Sequence, residues 1–175
     1  MQHLPGHTPT PRATTSPTLG QWENLARRGS QAMQTGHAGL ALLSFQHALS
    51  IAQSLLHSAQ ANDQAHQADD CVAALVVSHH NLADLFTHNR QPEQAAIHVC
   101  CAHRTLLGLL RGQLPDRHDL LQPPSLALQQ AAWRHSRETY AGLLQYQRDW
   151  GPCPAITQLL QASTHPTDSN PPTLH

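Results

Sequence analysis

Histidine and cysteine side chains are the residues in this sequence best suited to metal chemistry. The chain has 15 histidines among 175 residues, and several of them fall within one short region. His79 lies in one predicted helix, and Cys100, Cys101 and His103 lie in the next. If the intervening turn is centred near residue 90, antiparallel pairing places residue 79 level with residue 101. Thiolate and imidazole side chains at one level are ligands that zinc and copper(I) favour.

Other features of the sequence favour a structural reading of the same residues. His80, Asp84 and His88 share one helix face at a second possible metal-ligand spacing, but the remaining histidines are scattered along the chain. Cysteines in packed helices often behave as small apolar residues, and His79 falls toward a helix interface. A metal-binding or metal-sensing helical protein is therefore the alternative function, with ligands His79, Cys100, Cys101 and His103. The main prediction includes no metal and no cofactor.

Enzymatic motifs are missing from the sequence. No GxSxG, HExxH or glycine-rich phosphate loop occurs, and the carboxylates are too scattered to nominate an acid–base pair. All ten basic residues are arginine, so the lysine of a phosphate loop and the amine of a Schiff base are both lacking. We predict a protein that is not an enzyme.

Charge and cysteine usage bear on partners and compartment. The formal net charge is −1, so no strong field favours nucleic acid or an anionic membrane. No apolar run approaches the roughly 20 residues that span a bilayer, and the first 20 residues do not resemble a signal peptide. The four cysteines (Cys71, Cys100, Cys101 and Cys153) form no CxxC pair. We therefore expect reduced thiols, a cytoplasmic location, and no nucleic-acid or membrane partner.

Proline divides the chain into a helical domain and two tails. Residues 1–18 and 163–175 are rich in proline, serine and threonine, which predicts disordered tails around a domain at 19–162. No proline lies between Pro17 and Pro92, and good helix formers dominate there. The strand-like segment VAALVV at 72–77 is included in a helix because it leads directly into the sequence HNLADLF. The predicted helices are 20–35, 38–60, 66–88, 92–112, 124–149 and 154–163.

Two stretches share a pattern of small and large residues across a helical hairpin. Residues 77–109 have apolar positions on either side of a polar break at 89–91, namely Leu82, Ala83 and Phe86 before it and Ala95, Val99 and Ala102 after it. Residues 22–52 repeat this with Gly29, a turn at Gly36, and then Ala41, Phe45 and Ala48. A weaker third copy has Tyr140, Leu143, Leu144 and Tyr146 before Gly151-Pro152, and then Ala155, Leu159 and Ala162. Small residues let antiparallel helices approach, and large ones fill the space between them.

This pattern resembles the tetratricopeptide repeat, with a lengthened period that is loosely similar to the kinesin light chain type. The separations between Ala41, Ala95 and Ala155 exceed the family period of about 34 residues; the segments 57–70 and 112–124 are expected to hold the extra length. The resemblance implies an all-α fold, in which antiparallel helix pairs stack as a short solenoid of about three repeats. Its predicted core includes Leu25, Leu42, Phe45, Leu49, Leu82, Phe86, Val99, Leu106, Trp133 and Leu143.

In this family the first helix of each repeat lines a concave groove that binds a partner. Transferred residue by residue, the groove comprises Glu23, Arg27, Ser30 and Gln34, then His80, Asn81, Asp84 and His88, then Arg137, Tyr140, Leu144 and Arg148. Asn81 stands where the family often hydrogen-bonds a peptide backbone, and Arg27 and Arg137 are suited to gripping a carboxylate. The resemblance thus implies an adaptor for a protein or peptide partner. We expect a monomer or weak homodimer, and a small domain that dimerises through exposed helix faces is a further alternative.

Overall fold

The computed structural model describes residues 17–61, 65–112 and 123–164. In these ranges the chain forms six α-helices and one 3₁₀ turn, with no strand, so the all-α prediction is confirmed. The helices are α1 (Leu19–Gln34), α2 (Ala38–Ala61), α3 (Ala68–His88), α4 (Pro92–Leu110), α5 (Leu126–Trp150) and α6 (Pro154–Thr164). All six match the predicted helices to within about two residues, including the strand-like segment at 72–77. The predicted tails lie almost entirely outside the described residues.

The ends of the helices follow from local hydrogen bonding. Thr18 begins α1 with a capping box, in which its hydroxyl accepts from the Gln21 backbone and the Gln21 side chain accepts from the Thr18 backbone. Pro92 begins α4, where its missing N–H costs nothing. The three-residue turns after α1 and α3 are alike: the residue with positive φ is Gly36 in one and Arg90 in the other. Each turn returns a backbone N–H to the carbonyl five residues earlier.

Consecutive helices are antiparallel neighbours, and alternate helices run parallel. Each of the five consecutive pairs from α1·α2 to α5·α6 is in contact, as are α1·α3, α3·α5 and α4·α6. The Trp22 indole of α1 donates to Ser78 of α3, while the C-terminal turns of the two helices approach each other around Ser30 and Asp84. Contacts between α3 and α5 also advance in the same direction along both helices. The helices α1, α3 and α5 therefore form a parallel row.

The core consists of three clusters between these helices. Phe45, Leu82, Val99, Leu106 and Leu143 are buried as predicted, and Leu25, Leu42, Leu49 and Phe86 are partly buried. Trp133 was wrongly assigned to the core, since 67% of it is exposed. The reason is its position on α5: the buried residues Leu128, Ala131, Ala132, Thr139 and Leu143 occupy the other side of that helix. Ala155 is exposed too, and Ile156 is the fully buried residue of α6.

Close packing between α1 and α2 depends on Gly29. A Cβ at this position would lie within 2.5 Å of Phe45 Cδ1, and Phe45 is only 1% exposed. We expect Gly29→Ala to destabilise the fold by about 1–3 kcal/mol through overpacking, even though alanine is the better helix former. Gly39→Ala is the matched control, because an added Cβ there meets nothing within 4 Å. Urea unfolding should show this control to be neutral or slightly stabilising; equal effects of the two substitutions would contradict the close approach.

Helix α2 bears on the expectation about membranes. Over 18 residues its mean hydropathy reaches 1.2, so by length and composition it is apolar enough to cross a bilayer. Polar residues such as Gln46 and Gln53 interrupt it, so α2 contains no continuous apolar run of that length, and the expectation stays a prediction. Eight of its residues, from Ala41 to Ala59, are buried in the structure, and a core helix of a soluble protein passes the same test. One such helix is weak support for a membrane span.

Candidate functional site

A cleft of about 500 Å³ lies between the C-terminal halves of α1 and α3. We call it the α1–α3 cleft, and its lining residues are Ser30, Met33, Gln34, Gly36, Phe45, Asn81, Asp84 and His88. Its volume falls in the range of ordinary ligand sites. The Trp22–Ser78 hydrogen bond of 2.8 Å joins the N-terminal part of α1 to the middle of α3, and the cleft lies beyond it, toward the C-terminal ends of both helices.

Several polar side chains of the α1–α3 cleft retain their hydrogen-bonding capacity. The side chains of Gln34, Asn81, Asp84 and His88 make no hydrogen bond within the described ranges, whereas the Ser30 hydroxyl donates to the Ala26 carbonyl at 3.1 Å. Amide groups both donate and accept, so Gln34 and Asn81 match the two functions of a peptide backbone. The cleft therefore offers two amide groups that no described residue occupies.

Asp84 supplies the acidic group of the cleft. Burial raises the pKa of its carboxyl group, and the neighbouring His80 partly opposes that rise. Within the described part of the chain no cation lies within ion-pair distance of Asp84. The partly buried Met33 adds apolar surface next to this carboxylate. A long basic side chain matches the arrangement, because its aliphatic stem can pack on apolar surface while its charged end reaches the carboxylate.

The structure brings together only part of the groove predicted from the sequence. Ser30, Gln34, Asn81, Asp84 and His88 line the α1–α3 cleft, but seven others of the predicted set do not: Glu23, Arg27, His80, Arg137, Tyr140, Leu144 and Arg148. Arg27 and Arg137 are exposed and, among the described residues, pair with no carboxylate. Tyr140 instead contacts the His103 ring, with a centroid separation of 6.1 Å.

His80 belongs to a chain of imidazoles and carboxylates that links α3 to α5. Its Nδ1 lies 3.5 Å from Glu138 Oε1, and Glu138 Oε2 lies 3.8 Å from His135 Nδ1. His135 Nε2 is in turn 3.4 Å from Asp69 Oδ1, to which the Arg134 guanidinium donates through two nitrogens. These contacts align the two helices. Sequence reasoning missed them because they depend on the relative register of α3 and α5.

The four residues of the proposed metal set are not gathered into one site. His79 Nδ1 pairs with His98 Nδ1 at 3.1 Å, while both His103 nitrogens are occupied by the hydroxyls of Thr139 and Ser163, each at 2.8 Å. The ring that His79 contacts is thus that of His98, three residues before Cys101. Within the described ranges no three His, Cys, Asp or Glu side chains are arranged to hold a metal ion.

Cys100 is a buried thiol of the core. Burial, together with the nearby Cys153, raises the pKa of the Cys100 thiol to about 11. Without a bound cation, a thiol with such a pKa stays protonated at neutral pH. Cys100 packs with Ala96, Val99 and Ile156 in one of the core clusters. Its contribution is that of a small apolar residue.

The structure thus defines a helical protein with a partly open cleft, lined by both polar and apolar side chains, between two parallel helices. The model of the DUF2753 family, described as a protein of unknown function, matches residues 20–175. Because this match covers most of the chain, the protein belongs to that family. Neither a curated protein nor a solved structure matches the chain.

Proposed function

We propose that this protein is an adaptor that binds an extended segment of a partner protein in the α1–α3 cleft. The observation that carries the proposal is the gathering of five sequence-predicted groove residues, including Asn81 and Asp84, around one cleft. Asn81 and Gln34 hydrogen-bond the partner's backbone, while Asp84 pairs with a lysine or arginine whose stem packs on Met33. The partner is therefore a peptide segment with a basic side chain.

We further propose that the helices form a tetratricopeptide-like solenoid of three helix pairs. The parallel row of α1, α3 and α5 supports this arrangement, because the first helices of successive repeats are neighbours in such arrays. The equivalent turns at Gly36 and Arg90 support it as well. The number of residues between these two turns equals the number between the buried Ala41 and Ala95. The exposed Ala155 makes the third pair the most divergent.

The remaining sequence-based expectations stay predictions: no catalytic activity, a cytoplasmic location, and no binding of nucleic acid. The metal-binding alternative is disfavoured by the positions of its own residues. His103 is held by two hydroxyl groups, and His79 faces His98. His79 and His103 would have to leave these partners before the four proposed ligands could meet at one ion.

Peptide selection followed by affinity measurement tests the adaptor function. A displayed library of random peptides is selected on the full-length protein, and binders are measured by isothermal titration calorimetry. Asn81→Ala should weaken binding about tenfold, because a net hydrogen bond contributes about 0.5–1.5 kcal/mol and each unit of 1.4 kcal/mol is a factor of ten. Asp84→Asn should weaken only those peptides that carry lysine or arginine.

The control for this experiment is Gln53→Ala, an exposed position on α2 outside the cleft. The Gln53→Ala variant should bind the selected peptides as tightly as the unmodified protein does. Thermal melts should show that all three variants remain folded. Selected peptides that bind the Asn81→Ala and Asp84→Asn variants as tightly as the unmodified protein would remove the cleft from the mechanism.

A further inference from the structure

The outward face of α5 carries large apolar side chains. Leu126 is 69% exposed, Trp133 is 67% exposed and Leu144 is 40% exposed. Because an α-helix has 3.6 residues per turn, positions 126, 133, 137 and 144 align along one face of α5. We call Leu126, Trp133, Arg137 and Leu144 the α5 stripe. It is separate from the α1–α3 cleft and has no part in the proposed peptide site.

The α5 stripe lies at the end of the row formed by α1, α3 and α5. Arg134, His135 and Glu138 face α3, so Trp133 projects from the side of α5 away from α3. The last helix, α6, has only 11 residues, and its contact with α5 includes the Gln147–Thr157 hydrogen bond near the C-terminal end. Stacked helix pairs stay soluble when the terminal pair presents a polar outer face. This terminal face instead carries three exposed large apolar side chains, Leu126, Trp133 and Leu144, in line with Arg137, a row that another molecule can cover.

We propose that a second copy of this chain covers the α5 stripe, forming a symmetric dimer in which the two α5 helices pack antiparallel. The order of side chains favours this partner. With the two-fold axis level with residue 135, Leu126 meets Leu144 of the partner subunit. In the same register, the Trp133 indole meets the guanidinium of Arg137 of the partner subunit, a favourable cation–π pair. The stripe is thus complementary to itself when reversed, as a two-fold interface requires.

The size of the α5 stripe sets the expected strength of the dimer. A helix of 25 residues is about 37 Å long, long enough for four contacts along its length. The exposed parts of Leu126, Trp133 and Leu144 together present on the order of 300–400 Å² of surface, since one large aromatic side chain has roughly 150–250 Å². Stable interfaces bury roughly 800 Å² per partner. The dimer is therefore weak and reversible, with a dissociation constant in the micromolar range.

Sedimentation equilibrium of the full-length chain in reducing buffer tests this dimer. The unmodified protein should shift from monomer to dimer as its concentration rises through the micromolar range. Trp133→Arg should raise the dissociation constant at least about tenfold, because it places two arginines together. Trp133→Glu should be less harmful than Trp133→Arg, since the new carboxylate would face Arg137 of the partner subunit. Leu43→Arg is the control, because Leu43 is similarly exposed on α2, and it should leave the dissociation constant unchanged.

A paired substitution tests the antiparallel register. Leu126→Arg alone and Leu144→Glu alone should each weaken the dimer, whereas the double variant should restore it through two Arg–Glu pairs across the interface. The two positions lie about 27 Å apart along one helix, so a pair within one chain cannot cause this rescue. A protein that stays monomeric at several hundred micromolar would overturn the proposal. Dimerisation that is lost equally in Leu43→Arg, or not rescued by the double variant, would overturn it too.

Discussion

Phe45→Ala is expected to reduce the free energy of unfolding by about 3–5 kcal/mol, the usual cost of removing a fully buried phenylalanine. Phe45 is 1% exposed and lies in a cluster with Ala32, Ala41, Leu82 and Leu85. Its ring packs directly on Gly29 and reaches the floor of the α1–α3 cleft. Removing the ring therefore leaves a cavity at the point where α1, α2 and α3 meet. Urea unfolding followed by circular dichroism measures the loss.

Two further variants distinguish this packing from a general effect of substitutions in α2. Leu43→Ala removes a side chain that is 65% exposed on the same helix, and it should cost less than about 1 kcal/mol. In the Phe45→Ala background, Gly29→Ala should lose its penalty because the ring that it strikes is gone, a strong non-additivity between contacting residues. If the two substitutions were simply additive, the close approach of α1 and α2 at this point would be wrong.

The helices could be predicted from the sequence because their signals are local. Helix boundaries are set by residues close to them, such as Pro92 at the start of α4 and Gly36 in the turn after α1. The long proline-free stretch then favours helix between such boundaries. The burial of Phe45 and Leu82 followed from helical periodicity for the same reason. Trp133 shows the limit of this reasoning. A large apolar residue on a helix is assigned to the core by composition, but only the packing of neighbouring helices decides which face of α5 is covered.

The candidate site was predictable only where a resemblance supplied the register between helices. Asn81 and Asp84 were placed on the exposed face of a first helix, and the structure puts both in the α1–α3 cleft. Arg137 was transferred by the same rule, but the third repeat is the weakest, and this residue lies elsewhere. The metal set is not gathered for a related reason: helix pairing alone does not decide which side chains meet, and His79 pairs with His98 while His103 is held by Thr139 and Ser163.

The His79–His98 pair makes the stability of the fold depend on pH. The two Nδ1 atoms are 3.1 Å apart, so one donates and the other accepts only while at least one ring is neutral. The His98 ring also stacks on Phe86, with an interplanar angle of 8° and a centroid separation of 5.5 Å. Burial, with smaller contributions from His98 and His80, lowers the pKa of His79 from 6.5 to about 4. Burial lowers the pKa of His98 as well.

These shifts predict that acid destabilises the fold well above the pH at which carboxylates titrate. Between pH 6.5 and pH 4 the unfolded chain binds a proton at His79 that the folded protein excludes. The stability that His79 contributes by staying neutral in the fold is therefore fully present above pH 6.5, and it is lost as the pH falls toward 4. From pH 7 to pH 5, His79 alone should account for a loss of about 2 kcal/mol in the free energy of unfolding. Urea melts at several pH values measure it.

A histidine substitution assigns the effect to this pair. His79→Gln removes the titrating ring but keeps a side chain that donates and accepts, so its stability should fall less between pH 7 and pH 5, even if it is lower at pH 7. His47→Gln replaces an exposed histidine on α2 and should leave the pH dependence of the unmodified protein intact. Each variant lacks one histidine and keeps the remaining titrating groups. The difference between their pH profiles of stability therefore reports the buried His79 ring against an exposed one. Identical pH profiles for His79→Gln and the unmodified protein would mean that His79 is not held neutral in the fold, and that its contact with His98 does not resist protonation.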